Sequence, residues 1–249
     1  RYRGAGAVPA PSTSSLAFGG TAGGRVANTE EFSVPPPTSK ILVDGEVWYN
    51  TSAQGVKLAG TAAGVPATTW SSGGSLNHAR HSGAGSGTSN ESSMVFGGVP
   101  GPDNETEIYD GSSWTEVNNL NTARAYLGGA NAGTTTATLG FGGGSPYKAN
   151  TESWNGTSWT EVNDMNTARE FVAGSGTQTS ALGSGGYGPP PTTVSNKVEK
   201  WDGTAWTETT EINTARSQAS AVGEGYQSLL FAGDKHPASP RLANETESW

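Results

Sequence analysis

The sequence predicts an all-β fold built from a repeated unit of four short strands, and three observations predict it. A motif containing a Glu, an aromatic residue, a Trp and an Arg recurs along the chain at spacings of 45 and 47 residues. Asp-Gly and Asn-Gly pairs, which favour β-hairpin turns, stand at a fixed place in this motif. The 37 Gly, together with abundant Ser and Thr, leave no long stretch with the 3.6-residue apolar period of a helix.

The motif is clearest in residues 107–124, 152–169 and 199–216. In the middle copy a Glu-Ser-Trp tripeptide is followed by Asn-Gly, by a second Trp and finally by Asn-Thr-Ala-Arg. A short apolar run that ends in two small residues, usually two glycines, precedes each copy. These fixed offsets predict that every copy folds in the same way.

Each unit predicts four strands, here named a to d in chain order. In the third unit, strand a covers residues 125–130, strand b 136–142, strand c 150–154 and strand d 158–162. Strand a consists mainly of small residues, a double glycine ends strand b, and strands c and d each carry a Trp. Four strands in about 45 residues are typical of a β-propeller blade.

The whole chain, residues 1–249, is interpreted as one propeller with repeat units at 1–76, 80–120, 124–165, 169–212 and 216–249. In the first unit Trp70 follows Phe32 by 38 residues instead of five. Residues 33–67 are therefore predicted to be an insertion between strands c and d. The last unit contains strands a, b and c without strand d, so we expect about five blades with the last one incomplete.

The order of an Arg, a small-residue strand, a double glycine, Glu-x-aromatic and a Trp five residues later resembles the kelch repeat. The resemblance covers nearly the whole chain apart from the insertion. It implies a propeller in which strand a lies nearest the axis and paired Trp residues fill the wedges between blades. We therefore expect Trp114, Trp159 and Trp206 to be buried in equivalent places.

An Arg and a Glu recur at the same place in every unit. The simpler interpretation is a repeated structural Arg–Glu pair, since buried charges are rarely left unpaired. The alternative is an arginine ring at the mouth of the channel that binds an anion or an acidic peptide. The residues are Arg1, Arg80, Arg124, Arg169 and Arg216, with Glu30, Glu107, Glu152, Glu199 and Glu247.

The connections between strands b and c differ most between units, and they should emerge on the same face as the d–a connections. They supply Tyr147, Lys148, Tyr187 and His236, a mixture of aromatic and polar side chains that suits a sugar or a peptide. These four residues are the candidate ligand-binding site. The competing interpretation is that Pro and Gly only rigidify surface loops here.

The insertion is the other feature that breaks the repeat. Its β-rich runs on either side of Asp44-Gly45 predict a hairpin, and a long insertion in a compact domain commonly makes contacts. Its candidates for a protein–protein contact are Ile41, Val43, Trp48 and Tyr49. The alternative is that the hairpin folds down onto its own blade.

The sequence predicts a protein that is not an enzyme, with no catalytic residue, metal or other cofactor. The chain has no Cys, which excludes thiolate metal sites, cysteine nucleophiles and the Cys–Tyr cross-link of the kelch copper oxidases. His78, His81 and His236 are too few and too scattered to predict a metal site. A net charge of −8 argues against a nucleic-acid partner, and no apolar run is long enough to predict membrane insertion.

The near-verbatim repeats and the lack of Cys are similar to kelch-like repeat proteins of bacteriophages and environmental bacteria. That resemblance implies an attachment or host-recognition propeller in the virion, on a tail fibre or the capsid surface, or outside a cell on its surface. Its partners would be other virion or surface proteins, with glycans and further copies of the chain as additional candidates. Two alternatives stay open: a secreted carbohydrate-binding lectin propeller, and a glycan hydrolase or lyase.

Overall fold

A computed structural model gives the chain an all-β architecture, with 21 strands and no helix in the part that it describes. The described residues are 5–7, 14–18, 29–33, 46–50, 55–59, 70–100, 103–144, 146–190, 194–224, 227–231, 233 and 246–249. Among them, no helix has the length and apolar character needed to cross a membrane.

The first sheet has four antiparallel strands, and a separate hairpin lies between its third and fourth strands in the sequence. The strands are β1 (Ala5–Ala7), β2 (Ser14–Phe18), β3 (Thr29–Ser33), β4 (Glu46–Asn50), β5 (Gly55–Ala59) and β6 (Trp70–Ser72). The sheet order is β1-β2-β3-β6, and β4 pairs with β5 in a separate two-stranded sheet. Asn50 pairs with Gly55, so Asp44-Gly45 precedes the hairpin and does not form its turn as predicted. The reason is that β5, which follows β4 in the chain, supplies its partner strand.

The second and third sheets repeat this arrangement without an insertion. Their strands are β7 (Ala84–Ser89), β8 (Ser92–Gly98), β9 (Asp103–Tyr109), β10 (Trp114–Val117), β11 (Gly128–Gly129), β12 (Thr138–Phe141), β13 (Thr151–Trp154) and β14 (Trp159–Val162). In each sheet the strands follow one another in chain order and are antiparallel.

The fourth sheet is complete, and the fifth has three described strands. The strands are β15 (Ala173–Thr177), β16 (Ser180–Ser184), β17 (Val198–Trp201), β18 (Trp206–Thr209), β19 (Ser220–Glu224), β20 (Gln227–Phe231) and β21 (Thr246–Ser248). The fifth sheet therefore contains the predicted strands a, b and c.

The c–d hairpins close through an Asx turn of four residues, where the Asp-Gly pair alone predicts a two-residue turn. Asp110 Oδ1 accepts the backbone N–H groups of Ser112 at 2.9 Å and Ser113 at 2.8 Å. Gly111 lies at a φ of 93°, which favours glycine. The same loop geometry recurs at Asn155 and Asp202.

Aromatic residues fill the space between neighbouring sheets. The ring of Trp159 in the third sheet lies 4.8 Å from that of Phe96 in the second, and Trp206 and Phe141 repeat this contact one sheet later. Trp159 and Trp206 are only 5% and 6% exposed, and Trp114 is 5% exposed. The predicted equivalent burial of these three Trp residues is confirmed. The large buried area of Trp offsets the scarcity of aliphatic residues in the chain.

The first strands of the five sheets adjoin one another in chain order, β1 with β7, then β11, β15 and β19. They approach so closely that a methyl group on Gly174 would lie 2.3 Å from the carbonyl oxygen of Gly129. This close approach explains why small residues dominate the first strand of each sheet. The connection from the preceding sheet leads directly into each of the strands β7, β11, β15 and β19.

Candidate functional site

Each connection from one sheet to the next is fixed by a buried Arg–Glu pair. The Nη2 atom of Arg124 donates to Oε1 of Glu152 at 2.9 Å, and both side chains are at most 1% exposed. Its Nη1 atom donates to the carbonyl oxygens of Gly142 and Asn150. The other carboxylate oxygen accepts the backbone and side-chain N–H groups of Asn121, at 2.7 and 2.9 Å.

The same Arg–Glu pair, here called the Arg–Glu lock, recurs in the second, fourth and fifth sheets. Arg169 pairs with Glu199 at 2.8 Å, and the other two pairs are Arg80 with Glu107 and Arg216 with Glu247. The structural Arg–Glu pairing is therefore confirmed at these four places. The four guanidinium groups are at most 2% exposed, so they face carboxylates and backbone carbonyls, and not a channel mouth where an anion could reach them. Arg1 lies outside the described residues.

Burial lowers the pKa of the Arg124 and Arg169 guanidinium groups, and the charges of Glu152 and Glu199 oppose that shift. Opposing effects of this kind are typical of a structural ion pair in the protein interior. These pairs fix the backbone of each connection. They therefore also fix the position of the residues that follow each Arg.

Two residues after each Arg, the backbone takes up a left-handed conformation that sequence reasoning did not anticipate. Ser82, Tyr126, Phe171 and Gln218 have φ values of 59°, 59°, 56° and 58°. The N–H of Tyr126 donates to the carbonyl of Ser82 at 2.8 Å, and the N–H of Phe171 donates to that of Tyr126 at 2.7 Å. Gln218 continues the series by donating to Phe171 at 3.3 Å. One line of hydrogen bonds therefore joins the connections of four sheets.

A cavity of about 420 Å³, here called the mouth cavity, is lined by these four residues and their neighbours. The rings of Tyr126 and Phe171 lie 4.4 Å apart at its wall, and both side chains are partly exposed. Gln218 is exposed, and Ser82 bonds Nδ1 of His81 at 2.9 Å. The cavity thus combines an aromatic surface with hydroxyl and amide groups.

The side chains of the mouth cavity vary although their backbone does not. A non-glycine residue held in the left-handed region is strained by about 1–3 kcal/mol, and glycine avoids this strain. The chain contains 37 Gly, yet none of these four positions has one. The connection Asn-Thr-Ala-Arg is repeated without change in three units, and variation begins just after it. That boundary is the signal from which the site could have been found.

The structure brings together two of the predicted ligand-binding residues. The rings of Tyr147 and Tyr187, 40 residues apart in sequence, stack with centroids 6.3 Å apart and planes 28° apart. Partial desolvation raises the pKa of Tyr147, and the Glu170 carboxylate adds to the shift. Lys148 follows Tyr147 in the chain and is partly exposed, whereas His236 lies outside the described residues.

The loops that carry these tyrosines lie on the same side of the sheets as the mouth cavity. Backbone hydrogen bonds join Glu170 to Tyr187 in both directions, at 2.8 and 2.7 Å. Gly144 bonds to the carbonyl of Ala125 at 2.7 Å in the same manner. The b–c and d–a connections therefore form one continuous surface, here called the connection face, as the strand order predicts.

The candidates for a protein–protein contact belong to the insertion in the first unit. Trp48 and Tyr49 lie in β4, while Ile41 and Val43 lie outside the described residues. Within the described residues, no group of three or more His, Asp or Glu side chains is placed to hold a metal ion. His78 hydrogen-bonds the carboxylate of Glu105, which raises its pKa.

No protein-family model matches the chain, and the curated proteins contain no match to it either.

Proposed function

We propose that this chain is a non-enzymatic, kelch-like β-propeller that serves in attachment and host recognition, on a bacteriophage tail fibre or capsid surface or on a cell surface. The repeated four-stranded sheets and their packing in chain order support the propeller. The placement on a virion or cell surface rests on the resemblance of the repeats.

The mouth cavity is the proposed binding site for the host-surface ligand. Strained backbone retained in every described connection, with side chains that differ from sheet to sheet, is typical of a site where side-chain identity matters more than stability. Tyr126 and Phe171 offer an aromatic surface for the C–H face of a sugar ring. Gln218 and Ser82 offer hydrogen bonds to hydroxyl groups. A host-surface glycan is the ligand that this combination fits.

The test compares binding of the purified chain to bacterial cells and to an array of bacterial surface glycans. Replacing Tyr126 and Phe171 together by Ala should reduce glycan binding at least tenfold, because both rings of the aromatic wall are removed. Thr160→Ala, on an exposed position of β14, is the matched control and should bind as the parent does. Undiminished binding by a folded Tyr126→Ala/Phe171→Ala variant would contradict the proposed site.

A lectin propeller is the second candidate, and the stacked Tyr147 and Tyr187 rings favour it. A secreted lectin would bind free oligosaccharides through this pair without belonging to a particle. Loss of oligosaccharide binding in Tyr147→Ala and Tyr187→Ala, with no effect of the mouth variants, would favour the lectin. The glycan hydrolase or lyase is the third candidate, and turnover of any glycan by the purified chain would favour it over both binding proteins.

The partners of an attachment propeller would be other virion or surface proteins, or further copies of the chain. The hairpin of β4 and β5, which belongs to none of the five sheets, is the proposed contact. Cryo-electron microscopy of a particle that carries the protein would test this. A hairpin that faces solvent on the assembled particle would contradict it.

A further inference from the structure

In the second, third and fourth sheets, a β-bridge joins the connection that enters the sheet to the connection between its strands b and c. The paired residues are His81 with Val99 in the second sheet, Ala125 with Gly144 in the third and Glu170 with Tyr187 in the fourth. The third sheet therefore has the smallest side chains at this bridge, and the fourth sheet has two long ones. The boundary between these two sheets differs in this respect from the boundary between the second and the third.

Both long side chains of the fourth sheet extend over the third sheet. A methyl group on Gly144 would collide with Oε2 of Glu170, so this carboxylate occupies the space that a side chain at position 144 would need. The ring of Tyr187 stacks on that of Tyr147, which belongs to the third unit, with centroids 6.3 Å apart. Because Glu170 and Tyr187 are paired in the bridge, their side chains lie on the same side of it. One carboxylate and two aromatic rings are therefore brought together over the third sheet.

The two rings leave part of their faces open to a ligand. Their planes differ by 28°, and a centroid distance of 6.3 Å is typical of an offset pair in which neither ring covers the other. Both tyrosine side chains are partly exposed. Desolvation raises the pKa of Tyr147 and the Glu170 carboxylate raises it further, so a negative charge acts at this ring. An aromatic face beside a carboxylate favours a cation.

We propose that Tyr147, Tyr187 and Glu170, here called the tyrosine–carboxylate site, bind an organic cation of the quaternary ammonium class. The methylated head group would lie on the open ring faces, with its charge towards Glu170. A ring attracts a cation within about 6 Å of its centroid, so one head group can interact with both rings. A primary ammonium is strongly hydrated, and a methylated head group without N–H groups loses less on desolvation. The site shares no residue with the mouth cavity, and it does not depend on glycan recognition there.

The experiment measures binding of choline to the full 249-residue chain by NMR titration. The comparison ligand is the neutral carbon isostere of choline, in which a tert-butyl group replaces the trimethylammonium group. The two molecules have the same shape and differ in charge. We expect saturable binding of choline and about fivefold weaker binding of the isostere, because only the cation is attracted by the rings and the carboxylate.

Variants of the carboxylate test its part in the site. Glu170→Gln removes the charge and should weaken choline binding about fivefold. Gly144→Ala keeps the carboxylate but displaces it, and it should weaken binding as well. Val99 stands at the corresponding place in the second sheet, so the backbone accepts a side chain there. Glu116→Gln, at an exposed position of β10, is the matched control that makes the same change in net charge and should bind as the parent does.

Variants of the neighbouring side chains test the rings and the sign of the ligand's charge. Tyr147→Ala and Tyr187→Ala should each weaken choline binding. Lys148→Ala removes the cation that follows Tyr147 in the chain, and for a positively charged ligand it should leave binding unchanged or make it tighter.

Four results would overturn the proposal. They are no saturable binding of choline, equal binding of its neutral isostere, undiminished binding by a folded Glu170→Gln variant, and weaker binding by Lys148→Ala. Equal binding of the isostere would mean that the rings form a surface for neutral ligands, as a lectin requires. Choline binding that persists in Tyr126→Ala/Phe171→Ala would support a site separate from the mouth cavity, whether or not that variant still binds glycans.

Discussion

The guanidinium of Arg124 and the carboxylate of Glu152 lie 2.9 Å apart in the protein interior, although 28 residues separate them in sequence. Arg124 belongs to the connection that enters the third sheet, and Glu152 belongs to the third strand of that sheet. The pair therefore ties each incoming connection to the sheet that it begins. Because the same lock recurs in four described sheets, it sets the position of the whole connection face.

Removing one partner of this lock should be strongly destabilising. Glu152→Ala leaves the Arg124 charge buried without its carboxylate, and we expect a loss of about 3–5 kcal/mol in the free energy of unfolding. Glu208→Ala is the matched control, because the Lys197–Glu208 pair is a third to a half exposed and contributes at most about 1 kcal/mol. Urea denaturation of both variants measures the difference. Similar losses in the two variants would contradict a structural role for the buried pair.

The repeat predicts the lock, the strand order and the buried Trp residues, because each depends on a fixed spacing within one unit. The mouth cavity was missed for a physical reason. The left-handed conformation of Tyr126 is held by a hydrogen bond to Ser82, which lies 44 residues earlier in another unit. The same conformation explains why the strand predicted at 125–130 begins only at Gly128, two residues after Tyr126. The stacking of Tyr147 on Tyr187 likewise joins two units, so the sequence pattern within either unit does not predict it.

The indole hydrogen bonds between sheets give a second prediction. Thr151→Val keeps the size of the side chain but removes the acceptor of the Trp206 N–H, which is buried. An unsatisfied buried donor costs about 1–3 kcal/mol, and we expect thermal or urea unfolding to register a loss of that size. Thr160→Val, exposed on β14, serves as the control and should be neutral or slightly stabilising. A neutral Thr151→Val variant would mean that this bond contributes nothing to stability.

Backbone strain at the mouth cavity gives a third prediction, in which the substitution raises stability instead of lowering it. Gln218 is exposed and has a φ of 58°, so Gln218→Gly should raise the free energy of unfolding by about 1 kcal/mol while keeping the backbone hydrogen bond to Phe171. Thr207→Gly, at an exposed extended position of β18, should lower it by about 0.5–1 kcal/mol. A loss of stability in Gln218→Gly would show that contacts of the Gln218 side chain contribute more to stability than the backbone strain costs.

The acid sensitivity of the c–d hairpins gives a fourth prediction. Backbone N–H groups of Ser113 and Ser112 lower the pKa of Asp110 from 3.8 to about 2. A lowered folded-state pKa adds stability that is present above the unfolded value and is lost as the pH falls through about 2.

Asp110→Asn keeps the side-chain oxygen that accepts these bonds, as Asn155 does in the third sheet with both N–H groups at 2.9 Å. Because the amide carries no charge, the variant should unfold at a lower temperature than the parent at pH 7, and its melting temperature should fall less steeply between about pH 4 and pH 2, so that the two converge. Asp202→Asn should behave in the same way, because backbone N–H groups lower the pKa of Asp202 too. A parental slope in both variants would assign the acid sensitivity to other carboxylates.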